Sequence, residues 1–345
     1  MIAIRAFDPH AASAAEWSAY QHLRRARAEE DDPGETLPSD ADFKNELRRH
    51  RPLFESRRFV AMAGDAVAGM IGFGFRRQGT ADYADYAPYC DAWGGVLRPW
   101  RRQGVGSALL RPLADFMTER GKARVTIDAR GPEAHAFLTA VGAEARHVML
   151  RNRLDLGGLD LAAVAGWEAA VPAGLAWEIH AGQVPMGRLE ALLPQFTRLF
   201  ADVPLGSLDV PALRYELPAY RAWYGELDRH GGEHLLVLLL AGDQVAALCE
   251  GAFDARYPDR VHQLLTAVAR HWRGQGLARA VKAAMLRLVR QRHPAATRMF
   301  TMNAEGNAPI LALNRRLGFV QDRRNASYQI EREALAGWLA GRLAG

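Results

Sequence analysis

The chain has 345 residues, 49% hydrophobic and 24% charged, with a formal net charge of +5; that length suits two domains and that composition a packed core. It excludes a disordered acidic chain, a collagen-like fibre and a disulfide scaffold, since the two cysteines, Cys90 and Cys249, sit in apolar stretches and read as small buried hydrophobes. The cations are scattered without interleaved aromatic residues, so no nucleic-acid partner is expected, and the longest apolar run, Leu235 to Ala241, is far short of the ~20 residues of a membrane span.

In chain order, Ile2 to Phe7 reads as a strand, 12–30 as an amphipathic helix, and 41–54 as a second helix behind the capping candidates Ser39 and Asp40. Phe59 to Ala63, a Gly64-Asp65 turn and Val67 to Arg76 form a hairpin. A strand then ends at Val96, followed by a Gly-rich turn, a helix over 105–120, strand Arg124 to Ala129, helix Glu133 to Val141 and strand 145–154. The Gly- and Ala-rich segment 157–175 reads as a linker. The pattern then repeats: strand Ala176 to His180, helices within 187–230, a hairpin turning at Gly242-Asp243, strand 261–268, helix 277–292, strand 298–303, helix 307–317 and strand 323–330. Residues 331–345 read as a terminal helix.

The repetition extends to residue identity. Val96, Arg98, Trp100, Arg101, Gln103 and Gly104 recur without a gap as Val268, Arg270, Trp272, Arg273, Gln275 and Gly276, 172 residues later (96 to 268). The expected domains are therefore 1–156 and 176–330, with 157–175 as the linker and 331–345 as a C-terminal helix.

Both repeats carry an Arg, two residues, Gly, one residue, then Gly or Ala: Arg101-Arg102-Gln103-Gly104-Val105-Gly106 and Arg273-Gly274-Gln275-Gly276-Leu277-Ala278. Small residues let an anion approach the main chain, and the helix that follows offers free amides and a partial positive charge. That points to a pyrophosphate-type ligand. The dinucleotide and P-loop glycine patterns are absent, as is any Cys/His spacing for zinc, so no metal is expected.

These turns, with Thr301-Met-Asn-Ala-Glu-Gly-Asn-Ala-Pro-Ile-Leu-Ala-Leu-Asn-Arg-Arg-Leu-Gly-Phe319, resemble the GNAT acetyltransferase superfamily, in particular its tandem members such as the mycothiol synthases. The resemblance implies an α+β protein of two GNAT-like domains, each a mixed, mostly antiparallel twisted sheet flanked by helices. It implies a cytoplasmic bacterial N-acetyltransferase, monomer or weak homodimer, moving an acetyl group from acetyl-CoA directly to a primary amine of a small molecule. The competing implication is a non-catalytic acyl-CoA-binding protein.

By the same resemblance the two turns hold the pyrophosphate, and the strand ends before them, Val96, Leu97 and Arg98 or Val268, Ala269 and Arg270, run beside the pantetheine arm. Asn303, Asn307 and Asn314 flank its thiol end; the first copy lacks these asparagines. Many members place a tyrosine acid where this chain has Asn314, with Leu138 in the first copy, so Tyr328 becomes the candidate acid. For the base, Glu250 and His262 are the candidates, with Asp254 next; the matching first-copy positions are Gly72 and Cys90, with Asp91 following. The second domain is therefore expected to be catalytic. Trp17, Trp167 and Trp177 read as core, Trp223 and Tyr224 as core or acceptor-pocket residues, and the acidic run Glu29 to Asp32 as a solvated loop.

Overall fold

The computed structural model describes residues 2–342. Its first elements are β1 (Ile2–Ala6), α1 (Ala14–Asp31), α2 (Asp40–Arg48), β2 (Phe54–Ala63), β3 (Ala66–Arg76), α3 (Tyr83–Tyr86), β4 (Tyr89–Val96), α4 (Val105–Glu119), β5 (Arg124–Arg130), α5 (Gly131–Val141) and β6 (Glu144–Asp155). There follow α6 (Leu161–Ala169), β7 (Ala176–Ala181), α7 (Met186–Phe200), α8 (Leu217–Arg229), β8 (Glu233–Ala241), β9 (Gln244–Phe253), β10 (Arg260–Val268), α9 (Leu277–Arg292), β11 (Arg298–Ala304), α10 (Ala308–Arg316), β12 (Val320–Glu331) and α11 (Arg332–Gly341). No helix among the described residues is long and apolar enough to cross a membrane.

Two compact units result, Met1–Val148 with Ser207–Pro211 and Asn325–Gly345, and Met149–Gly206 with Ala212–Arg324. In the first, the strand order is β1-β2-β3-β4-β5-β12, antiparallel except for β4 with β5. One face packs Phe73, Val125 and Ala129 against Leu109, Leu113 and Phe116 of α4. The other packs Val60 and Met70 against Trp17 and Tyr20 of α1, a helix opened by a Ser13–Glu16 capping box.

The second unit repeats the order as β7-β8-β9-β10-β11-β6, antiparallel except for β10 with β11. Its continuous apolar run is strand β8, buried on both faces: Leu235, Val237 and Leu239 toward α9, Leu236 and Leu238 toward α7 and α8.

Two expectations need correction. The strands at 145–154 and 323–330 exist, but each closes the other half: from Met149 onward β6 pairs with β11, and from Asn325 onward β12 pairs with β5. A period-2 pattern specifies which face of a strand is buried and says nothing of which equivalent sheet edge it joins. The segment 157–175 is no free linker either. Asp160 caps α6 by accepting from the amides of Ala162 and Ala163, Val164 is buried against the α9 side of the second unit, and Glu168 pairs with Arg287 of α9. Its Ala/Gly composition hid the helix, whose support is tertiary. In the C-terminal helix, residues 343–345 lie outside the described residues.

Candidate active site

Each glycine-rich turn takes one shape. A one-turn 3-10 helix (Arg98–Trp100 or Arg270–Trp272) leads into two residues in the left-handed region, Arg102 and Gly104 in the first unit, Gly274 and Gly276 in the second. Gly104 and Gly276 are the N-caps of α4 and α9 and make no side-chain cap. The first amides of both helices are thus left for a ligand.

The arginines that head these motifs do something else. Arg101 Nε donates to the Val96 carbonyl at 2.9 Å and Arg101 pairs with Glu30 at 2.7 Å. Arg273 repeats this with the Val268 carbonyl at 3.2 Å and Asp202 at 2.7 Å, and Arg270 shares Asp202. Hydrogen bonds from Arg270, then its charge, hold the Asp202 carboxyl below the usual carboxylate range. Gln103 and Gln275 bond back to the carbonyls of Pro99 and His271. These side chains shape the turn, and none of them caps the helix that follows. The acidic run expected as a solvated loop lies largely in α1, and its Glu30 is the clamp on Arg101; it also accepts from the Arg98 amide at 2.9 Å.

Beyond the turns the sheets open. Parallel pairing of β10 with β11 stops at Gln263 and Thr301, and that of β4 with β5 at Ala92 and Ile127. Both units therefore have a cleft between splayed strands. They differ in the strand itself. In β10, Gln263 pairs with Gly251 and Thr266 with Cys249, so Leu264 and Leu265 together oppose Glu250 in a bulge; β4 against β3 runs in unbroken register from Gly69–Val96 to Gly74–Asp91. The bulge takes main-chain polar groups out of the ladder on one edge where the other edge has already lost its partner.

That bulge borders a pocket of about 340 Å³ whose walls include Tyr215, Tyr220, Trp223, Leu264 and Leu265, with Glu250 as the buried carboxylate and Arg214 and Glu216 also contributing. Glu250 is 4% exposed. It accepts from Tyr220 Oη at 2.7 Å and lies 3.1 Å from His234 Nε2. Behind it, the Val184 amide donates to Tyr224 Oη at 3.1 Å, and that hydroxyl is 2.9 Å from His234 Nδ1. The consistent chain has Tyr224 donating to Nδ1, which leaves the imidazole proton on Nε2, facing Glu250. Burial, with the Glu250 charge adding, holds the Tyr215 and Tyr220 phenols well above their ordinary range, and burial pushes Tyr224 up to about 12. They stay protonated donors. Tyr224→Phe should destabilise the chain by about 1–3 kcal/mol, because the Val184 amide and His234 Nδ1 are then buried unpaired; a melting curve beside the parent checks it.

Of the proposed bases, only Glu250 lines this pocket. His262 is exposed and stacks on Phe300 at 5.7 Å, and Asp254 is bound by Arg256. Tyr328 needs correction: the strand exchange puts it in the first unit, 7% exposed and 3.2 Å from His135 Nδ1, where it cannot be assigned to second-unit chemistry. Asn303 accepts from the amide of Asn314 at 2.7 Å, and Asn307 caps α10. Asn314 is fully buried, and its Oδ1 has no hydrogen-bond partner among the described residues; the amide N–H groups of a pantetheine arm are the kind of donor it lacks. The strand ends are less available than expected, since the Val96 and Val268 carbonyls and the Leu97 and Ala269 amides are already bonded within the chain.

His234 and Tyr220 were not singled out from the sequence; a lone His on an apolar strand and a Tyr in a helix carry no local signal. Trp223 lines the pocket, whereas Tyr224 stands behind it, and Trp17, Trp167 and Trp177 pack in or against the core. In the first unit Asp91 is accessible, and the surrounding protein, then the Asp128 carboxylate, push its carboxyl up to about 6. Burial pushes Cys90 to about 12 and Cys249 to about 11, so neither is a ready thiolate. No cluster of metal-ligating side chains occurs among the described residues.

The model of the acetyltransferase (GNAT) family matches the chain twice, at residues 17–143 and 194–319. Among solved structures, the chain is similar to a tandem GNAT protein from the clavulanic acid biosynthesis pathway, determined without AcCoA, at 22% identity and a TM-score of 0.75 over 96% of this chain and 99% of that one. It is also similar to a GCN5-related N-acetyltransferase from Sphaerobacter thermophilus, at 17% identity and a TM-score of 0.65 over 96% of each chain. At these identities the likeness is one of fold. A comparison with curated proteins finds no match.

Proposed function

The chain belongs to the GNAT acetyltransferase family, and on that premise we propose that it is an N-acetyltransferase whose second unit moves an acetyl group from acetyl-CoA to a primary amine of a small molecule. The observation that carries this is the meeting, in one unit, of an uncapped α9 N-terminus, a β10 bulge and the pocket holding Glu250.

Acetyl-CoA supplies the acetyl group as a thioester, and the residues of this chain do the rest. The amides of 274–278 take the pyrophosphate. Aromatic walls and the buried Glu250 carboxylate suit an ammonium on an apolar body, through cation–π contact and charge. Glu250 then removes a proton from that nitrogen, freeing its lone pair for the thioester carbon. The main chain at Leu264–Leu265 hydrogen-bonds the carbonyl oxygen as it gains charge. With Asn314 where many family members carry a tyrosine, the thiolate leaves unaided, which a thiol pKa near ~8.5 permits. The second proton, shed by the nitrogen as the amide forms, passes to the thiolate, giving the free thiol.

The test is thiol release from acetyl-CoA with 2-phenylethylamine, against 2-phenylethanol as the neutral analogue. Release with the amine alone supports the proposal. Binding of acetyl-CoA without release, across a panel of primary amines, would favour the non-catalytic acyl-CoA-binding reading, and no binding would leave only the fold.

A further inference from the structure

We infer that Lys282 is a positioning residue that locks the β10 bulge and ties it to the pyrophosphate-binding helix. Lys282 lies on α9, five residues after Leu277 opens that helix, and is fully buried. Its Nζ donates to Gln263 Oε1 at 2.9 Å, and Gln263 Nε2 donates to Thr266 Oγ1 at 2.9 Å. Thr266 Oγ1 in turn lies 3.5 Å from Cys249 Sγ. The other partner of the ammonium is the face of Phe319, 5.1 Å away; no ion pair with a carboxylate accompanies it among the described residues. Burial lowers its pKa to about 8, so it keeps much of its charge at neutral pH.

A lysine buried without a counter-charge is costly, and something must offset it. Strand geometry shows what the relay secures. In a regular strand, residues three apart point to opposite faces. Gln263 and Thr266 nevertheless bond each other on the α9 side, because Leu264 and Leu265, between them, both turn toward the pocket. The Gln263–Thr266 bond exists only if the bulge exists, and Lys282 orients the glutamine that makes it.

The first unit is an internal control. On the strand ladders the first-unit counterpart of Gln263 is Ala92, each being the last residue of its parallel pairing, and that of Thr266 is Gly94; Leu110 stands 172 positions before Lys282, and Ile71 stands across from Gly94 where Cys249 stands across from Thr266. That unit has the same turn and the same splay, none of the relay, and no bulge in β4. One chain thus contains the fold with the relay and the bulge, and the fold with neither.

The role of the bulge in acetyl transfer rests on the function proposed above, whereas the mechanical claim does not, and the experiment separates them. In Lys282→Met, amide hydrogen exchange over 263–267 should quicken about tenfold, as expected for one lost charge-assisted hydrogen bond. Melting temperature should stay within a few degrees or rise, because methionine removes a buried charge. Turnover of acetyl-CoA with 2-phenylethylamine should fall about 100-fold, the effect of misplacing a reacting centre, while calorimetric affinity for acetyl-CoA changes by less than about threefold, since the pyrophosphate amides are untouched. Thr266→Val breaks the far end of the relay in a nearly isosteric way and should show the same pattern, which settles the matter if Lys282→Met fails to fold. Unchanged exchange in both variants overturns the inference. A fall in melting temperature matched by proportionate losses of binding and turnover also overturns it, making Lys282 a core residue only. If the parent does not turn over acetyl-CoA, the proposed function falls while exchange still decides the relay.

Discussion

Gly276→Glu should cost at least about 100-fold in acetyl-CoA affinity by calorimetric titration, while Gly276→Ala stays within about tenfold. Gly276 sits at φ +80°, and a Cβ built there meets only the tip of Arg279, at 3.6 Å. Both substitutions therefore pay the same left-handed backbone cost, ~1–2 kcal/mol, and neither clashes. The carboxylate alone faces the pyrophosphate, and like-charge contact costs several kcal/mol at ~1.4 kcal/mol per tenfold. The equivalent step before it already tolerates a side chain in the first unit, where Arg102 holds φ 62°. Gly104→Glu should leave the titration unchanged. In that unit the β4 ladder is straight, and the Arg27 guanidinium lies along it, donating to the Gly94 carbonyl at 2.9 Å and lying 2.9 Å from where a Gly95 Cβ would be. If each glutamate removes one of two binding events, both units hold the cosubstrate, and the accessible Asp91 becomes the base to test in the first.

Glu250→Gln should lower kcat by about 10²–10⁴, the usual contribution of a positioned base, and leave acetyl-CoA affinity unchanged. Glutamine keeps the shape and an acceptor oxygen for Tyr220 Oη, now at 2.7 Å from Glu250, but cannot take a proton from an ammonium. Glu250→Ala is the poorer test, because it strips the Tyr220 hydroxyl and the His234 ring of their shared partner and lowers stability as well. His262→Gln should change kcat little, since His262 stacks on Phe300 outside the pocket wall. Full turnover in Glu250→Gln together with loss in His262→Gln would reverse the two roles.

The sequence by itself determined the duplication, most of the order of elements and the two glycine-rich turns. Each of these is local: a hairpin follows from Gly-Asp between apolar runs, a turn from glycines that can hold positive φ, and a repeat from identities at one offset. Glu250 was legible as a carboxylate on a strand of the second repeat. What surrounds it was not, because Tyr220, His234 and Tyr224 come from α8 and β8, 16 to 30 residues away in sequence, and meet only when the sheet forms. Tertiary structure also decided that Arg101 and Arg273 brace the turn, since Glu30 and Asp202 arrive from the ends of preceding helices. It decided which half each closing strand joins, moving Tyr328 out of the second unit, because β5 and β11 offer equivalent edges that an alternating pattern cannot tell apart. The bulge is the sharpest case: one residue of register in a single strand is set by a buried lysine on a helix packed beneath it, and long-range contacts of that kind leave no periodicity to read.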